Sequence, residues 1–372
     1  MSLTPRDRIR RVLTGEPPDR PPVDLWHTAE VGAALRAHTK TGSDLEMYRA
    51  LGLDKIYWSF VDYRRPDGGR ADSQVGASSA AAGSHAGVDE SDVPARTTWG
   101  VPLRGIEAGA AHYDEFSDAP MRDCEDPAAV DDYPYWPDPD SFAYDEALED
   151  AQRASAHFAV MGPWVSFYEI YCQLRGLEQA LMDLVLAPAL VEAILDRVEA
   201  IQTEVMKRHL ERSAAYLDLV FVSDDMGTQT GLLMSPKIWA QHFRARMRRW
   251  CDLIHSYGLK VFYHTDGAAE PLIRPLIECG IDVLNPIQHV CPGMDPARLA
   301  REYGKDVVFH GGVDNQRVLP FGTPEEVRAE VRMLGDTLGR GTKGFICCSC
   351  HNVQAGTPVP NILAMIEAAK EG

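Results

Sequence analysis

The 372-residue sequence contains no run of about 18 apolar residues, so no membrane-spanning helix is expected. Basic residues are in deficit. Lys and Arg number 37 against 55 Asp and Glu, a formal net charge of −18. That balance lacks the positive footprint of general nucleic-acid binding, although a local basic pocket for an acidic substrate stays open. Cysteine is scarce, with eight residues at 124, 172, 251, 279, 291, 347, 348 and 350. They form no disulfide framework and no paired CxxC zinc signature, so reduced thiols and a cytoplasmic location are expected. The opening MSLTPRDRIRRVL has no apolar signal-peptide core, and no secretory signal is expected. No GxGxxG follows an early strand, which argues against a dinucleotide-binding open sheet. Global disorder is excluded by 45% hydrophobic and 25% charged residues.

What is present is alternation. Eight short runs read as strands: 22–26, 55–60, 158–162, 217–223, 259–265, 281–287, 306–312 and 344–349. They are rich in β-branched and aromatic residues and mostly lack polar alternation, the pattern of strands buried on both faces. Helical patterns lie between them at 177–187, 188–213, 235–257 and 323–338. Ser235-Pro236 reads as an N-cap followed by a first-turn proline. Thr323, Pro324 and Glu326 read as a capping box, and Thr357-Pro358 as the start of a last helix. Strand–helix alternation of this kind predicts an α/β fold, a (β/α)8 TIM barrel spanning 1–372 as one domain. Residues 63–156 interrupt the rhythm between the second and third strands. They read as a long insertion decorating the barrel mouth, with a small hairpin around Thr97–Ile106 and a mobile loop over 73–90 that contains the Gly/Ala/Ser-rich run Gly76–Gly87.

In such barrels the chemistry collects at the C-terminal ends of the strands. Polar residues do follow the predicted strands: His27, then Ser59, Phe60, Asp62, Arg64 and Arg65, then Trp164, Phe167, Tyr168 and Glu169. Further on come Asp224, Asp225 and Gln229, then His264 and Asp266, Asn285 and Gln288, Asp314 and Gln316, and Cys350 and His351. His264 and Asp266 are two apart, the spacing that puts both on one side of a strand. With His351, or with Cys350 or Cys348, they offer a set with an open position suited to catalytic zinc or ferrous iron. The competing reading is a metal-free hydrogen-bonded pair. Asp225 and Glu169 are candidate proton-transfer groups. The bland reading of Asp224-Asp225 is that one caps a turn and the other faces water. Candidate substrate contacts are His27, Gln229, Asn285, Gln288 and Asp314. Arg64, Arg65 and Arg70 would clamp a carboxylate, but read more readily as a solvated loop. Cys347 and Cys348 read as small core residues, pointing to opposite sides.

Several segments in order resemble the uroporphyrinogen decarboxylase superfamily: PPDRPPVDLW (17–26), LRGLEQALMDL (174–184), SDDMGTQTGLLMSPKIW (223–239) and FYHTDG (262–267). IDVLNPIQ (281–288), HGGVDNQRVLPFGTPEEV (310–327) and HNVQAGTPVPNILAMIEA (351–368) extend the resemblance over most of the chain. The resemblance implies a (β/α)8 barrel and one of two activities. One is cofactor-free decarboxylation of porphyrinogen acetates; the other is zinc- or cobamide-dependent methyl transfer. The arginine-rich segment that follows the first strand in the decarboxylases is here DLWHTAE (24–30), so the sequence resembles the methyltransferase-like branch. In the zinc methyltransferases His-x-Cys follows strand five; here it is His264-Thr265-Asp266. The later Cys falls on or beside His351, with Cys350 adjacent. The resemblance implies an enzyme that moves a methyl group from a small methylated substrate or a corrinoid protein, with zinc as the candidate cofactor. The corrinoid would sit on a separate partner, since no DxHxxG segment is present. The alternative is a metal-free decarboxylase or lyase acting on a carboxylated substrate. A non-catalytic ligand-binding barrel is a third reading, and a homodimer is a further expectation.

Overall fold

Seven of the predicted runs form one parallel sheet in the computed structural model, which describes residues 3–66, 71–72, 95–108 and 111–371. The strands are β1 (Ile56–Trp58), β2 (Ala159–Val165), β3 (Leu219–Ser223), β4 (Lys260–His264), β5 (Val283–Asn285), β6 (Val308–His310) and β7 (Phe345–Ile346). Their order in the sheet is their order in the chain. A helix separates each pair from β2 onward, as parallel neighbours require.

The sheet is curled. Ile56, Met161, Leu219, Phe221, Phe262, Val283, Val308 and Ile346, from all seven strands, meet in one inner cluster with Trp26 and Cys348. Their sequence neighbours, such as Val160, Val220, Val222, Val261, Leu284 and Phe309, face the helices in a second core. Period-two alternation thus separates an inside from an outside. It also divides the thiols: Cys348 joins the inner cluster and Cys347 the outer one.

The first predicted strand runs between β7 and β1. Asp24 N donates to Cys347 O at 2.8 Å, Cys347 N to Pro22 O at 2.9 Å, and Asp54 N to Val23 O at 2.8 Å. Only isolated parallel bridges form, Val23 with Cys347 and His27 with Val353. The physical reason is that carboxylates take the ladder positions. Val23 N donates to Asp54 Oδ2, and Leu25 N to Asp24 Oδ1. Pro22 has no N–H to give.

The predicted helix 188–213 is Pro188–Ser213, and the Thr323 capping box with Glu326 is present at the start of Pro324–Leu334. The predicted helix 235–257 is broken at Phe243 into Pro236–His242 and Arg244–Ser256. Between β1 and β2 the hairpin is not at Thr97–Ile106 but pairs Leu103–Ala108 with Ala111–Phe116. Thr97–Val101 is instead a turn, closed by Thr97 N donating to Val101 O and by the Thr97 hydroxyl. The helix Tyr144–Ser155 follows, and its Asp150 and Ala147 O accept from Tyr57 and Ser59 at the β1 end. Arg70 and Gly76–Gly87 lie outside the described residues. No helix among the described residues is long and apolar enough to cross a membrane.

Candidate metal centre and its surroundings

Strand register builds the floor of the site. Ser223, His264 and Asn285 end β3, β4 and β5, and Ser223 pairs with His264 as His264 pairs with Asn285. Residues in register on adjacent strands project to the same side. His264 Nδ1 accordingly meets Asn285 Oδ1 at 2.5 Å, which leaves Nε2 facing away from the sheet.

The loops after β3 and β4 carry the acids and are laced together. Asp266 N donates to Asp225 Oδ1 at 3.0 Å, Met226 N to Thr265 Oγ1 at 3.0 Å, and Ala268 N to Thr228 O at 2.8 Å. The crossing point requires glycine. Gly267 has φ +82, and a Cβ there would lie 2.5 Å from Thr228 O; one on Gly227 would lie 2.3 Å from Asp266 O.

These loops and the segment after β7 bring four donors to one place. His264 Nε2 lies 3.7 Å from Asp225 Oδ1 and 3.9 Å from Asp266 Oδ1, and His351 Nε2 lies 4.0 Å from Asp266 Oδ2. The His264 and His351 rings stand edge to face, 6.0 Å apart. One ligand atom each from His264, Asp266 and His351 fits within 4.8 Å. Among the described residues no hydrogen bond satisfies the Nε2 atoms of these two histidines.

The electrostatics are those of crowded carboxylates. Burial first, then the nearby Asp225 charge, raises the Asp266 carboxyl above its usual range, while His264 and His351 pull it down. Glu169 is raised well above the carboxylate range by burial and by Asp225, Asp224 and Asp266, although the Ser223 hydroxyl donates to its Oε1 at 2.5 Å. Burial lowers the His351 imidazole. Asp224 and Asp225 have separate tasks. Asp224 Oδ1 accepts from the Ser166 hydroxyl and from the amides of Phe167, Tyr168 and Glu169, at 2.6–3.2 Å. It thereby caps the helix Tyr168–Arg175 that carries Glu169. Burial pushes Asp224 up to about 7 against those donors. Asp225 faces the histidines. A cavity of about 470 Å³ opens beside the acids, lined by Phe116, Arg122, Tyr168, Glu169, Leu177 and Asp225.

The other candidates are not among the converging donors. The Cys350 thiol is buried and donates to Ile287 O at 3.6 Å, and burial raises its pKa. Both His27 ring nitrogens are used, by Thr28 O and the Tyr48 hydroxyl, each at 2.9 Å. Asn285 is spent on histidines. Gln288 Oε1 accepts from Gly267 N at 2.7 Å and so holds the crossing loop. Asp314 Oδ1 accepts from Gln316 and Arg317 amides within its own turn. Gln229 is exposed and its Oε1 accepts from Cys291. Arg64 pairs with Glu146 on the surface.

Three residues not singled out from the sequence stand beneath the site: Asp24, Lys55 and His310. Asp24 lies 3.1 Å from both Lys55 Nζ and His310 Nε2, all three buried. The available signal was one acid inside PVDLW and one histidine inside DVVFHGG, polar residues within otherwise apolar strand runs.

The family described as Uroporphyrinogen decarboxylase (URO-D) matches residues 146–372. A methyltransferase from Methanosarcina mazei superposes with a TM-score of 0.66 at 16% identity, covering 100% of this chain and 99% of that one. A D-psicose 3-epimerase crystallised in the presence of D-fructose shares 12% identity over 66% of this chain and 84% of its own, with a TM-score of 0.35. No curated protein matches by sequence.

Proposed function

The chain belongs to the uroporphyrinogen decarboxylase family, whose model spans residues 146–372, and we propose that it is a metal-dependent methyltransferase of that family. In this reading segment 22–26 is the eighth strand of a (β/α)8 barrel and residues 63–156 are an insertion at its mouth. The observation that carries the reading is the convergence of His264 Nε2, His351 Nε2 and the Asp266 carboxylate, with Asp225 beside them. Imidazole lone pairs and carboxylate oxygens crowded within about 4 Å, with no hydrogen bond between imidazole and carboxylate, repel unless a metal ion or a proton on an imidazole relieves them. Two imidazoles and a carboxylate suit zinc with an open position, or ferrous iron.

His264, Asp266 and His351 would hold the ion, with Asp225 as a further oxygen. When bound, such an ion would supply Lewis acidity that lowers the pKa of an acceptor thiol or alcohol. The chain's own groups do the rest. Glu169, whose carboxyl is raised by burial and by its acidic neighbours, would hold a proton at Oε2 on the cavity wall. Asp225 borders the same cavity and can accept the acceptor's proton. Phe116, Leu177 and Leu233 give the cavity apolar surface against which a small methylated substrate would pack. A corrinoid protein is the proposed alternative methyl donor, as a separate partner.

Elemental analysis of the purified protein tests the reading first. About one zinc per chain, lost on chelation together with methyl transfer to thiols, is the expected result. Absence of stoichiometric metal after reconstitution with zinc and with ferrous iron would overturn it. Carboxylated ligands and decarboxylation would then be assayed instead.

A further inference from the structure

Beneath the cluster the side chains form an unbroken line: Asp24 Oδ2 to His310 Nε2 at 3.1 Å, His310 Nδ1 to Asn285 Nδ2 at 2.8 Å, Asn285 Oδ1 to His264 Nδ1 at 2.5 Å. Asp24, Asn285 and His310 are 0% exposed and His264 is 6% exposed, so water does not complete the line. Its direction follows from which groups can only donate.

Asp24 sets the first step. Oδ1 receives Leu25 N at 2.7 Å, Ile56 N at 3.2 Å and Lys55 Nζ at 3.1 Å. Oδ2 receives the Trp26 indole N–H at 3.0 Å. Amide, ammonium and indole groups have hydrogens to give and no lone pair to offer. Asp24 is therefore a carboxylate, and His310 Nε2 is its fifth donor. The next link is His310 Nδ1. A proton there as well would make a buried imidazolium in the same enclosure as the Lys55 ammonium, at high electrostatic cost. Nδ1 thus carries a lone pair and accepts from the Asn285 amide NH₂. The amide orientation is then fixed, and its oxygen faces His264 Nδ1, which must donate. One hydrogen on Nδ1 leaves Nε2 of the neutral ring bare. The Trp26 ring lies 5.4 Å from the His310 ring and 5.8 Å from that of His264, holding both planes.

We infer that Asp24, His310 and Asn285 are positioning residues that lock His264 with its hydrogen on Nδ1, presenting the Nε2 lone pair to a divalent cation among Asp225, Asp266 and His351. This rests on the reading of His264 as a ligand. Asn285, a candidate substrate contact from its place near the end of a predicted strand, serves the imidazole instead. Outer partners of this kind orient ligand rings, and their loss typically weakens metal binding by about 10–100-fold.

Two variants at His310 separate polarity from packing. In His310→Gln the amide NH₂ can still donate to Asp24 and its oxygen still accept from Asn285. His310→Leu fills the space and breaks the line. The probe is cobalt(II), titrated into the metal-free full-length protein and followed by its visible spectrum. Imidazole ¹⁵N NMR of the metal-free protein reports the His264 tautomer directly. The expected result is an Nδ1–H tautomer in the wild type, a His310→Gln variant close to it, and cobalt affinity reduced about 10–100-fold in His310→Leu. A wild-type Nε2–H tautomer overturns the inference. So does a folded His310→Leu variant with unchanged tautomer and cobalt affinity. If His310→Leu does not fold, the wild-type tautomer decides. If the wild type binds no cobalt, the metal reading fails, while the tautomer still tests the relay.

Discussion

Asp224 offers the sharpest test of how the site is held. Its Oδ1 gathers the Ser166 hydroxyl and three amides at the start of the helix that carries Glu169. Glu169 N has a second acceptor in the Ser166 hydroxyl oxygen at 3.2 Å, so truncation leaves three donors without one. At about 1–3 kcal/mol for each orphaned buried donor, Asp224→Ala should cost at least about 3 kcal/mol. Asp224→Asn keeps the accepting oxygen. Because burial already places the carboxyl at about 7, only about half of its charge is lost at pH 7. A cost of about 1 kcal/mol is expected for that variant, near the low end for caps. Equilibrium urea unfolding of both variants at pH 7 measures the gap. Equal losses for Asn and Ala would refute the capping argument, and a loss below about 1 kcal/mol for Ala would refute the donor count.

Three further outcomes are expected. Asp225→Asn preserves the oxygen that accepts from Asp266 N, so its unfolding midpoint should stay near the wild type while turnover falls about 10²–10⁴-fold; a near-normal rate would assign Asp225 a purely structural role. Gly267→Ala must adopt φ +82 and meet Thr228 O at 2.5 Å, so a loss of about 2–4 kcal/mol and weakened metal retention should appear in calorimetry with and without chelator. The His289 ring, 2.7 Å from Glu330 Oε1, is raised above its usual pKa chiefly by that hydrogen bond. Its contribution is complete below the unfolded value of about 6.5 and is lost as pH rises through the higher folded value. His289→Gln should flatten that part of the stability–pH curve, and an unchanged slope would remove the pair from the account.

How much of this was legible in the sequence depends on the kind of signal. The β2–β7 runs were visible because strands buried on both faces concentrate Val, Ile and Phe. The 22–26 run was visible too, although its ladder is completed by the carboxylates of Asp54 and Asp24, which no periodicity reveals. His264 and Asp266 were found by their spacing, and His351 by its place after the last strand. The relay below them was not found, since His310 and Asn285 become neighbours only through the register of β5 and β6. The hairpin was misplaced because the Thr97–Val101 turn is closed by a threonine hydroxyl, and turn-forming side chains imitate strand ends in sequence.

The bridges joining Val23 to Cys347 and His27 to Val353 have a consequence for how the protein could be taken apart. They form a seam between stretches more than 300 positions apart, and His351 belongs to one side of it. The donors His264 and Asp266 belong to β4 and the loop after it, in the middle of the seven-stranded sheet. An ion shared between them would act as a removable cross-link between this seam and the loop after β4. Chelation would then lower the resistance of that seam to opening, and added metal would restore it in proportion to the logarithm of its free concentration.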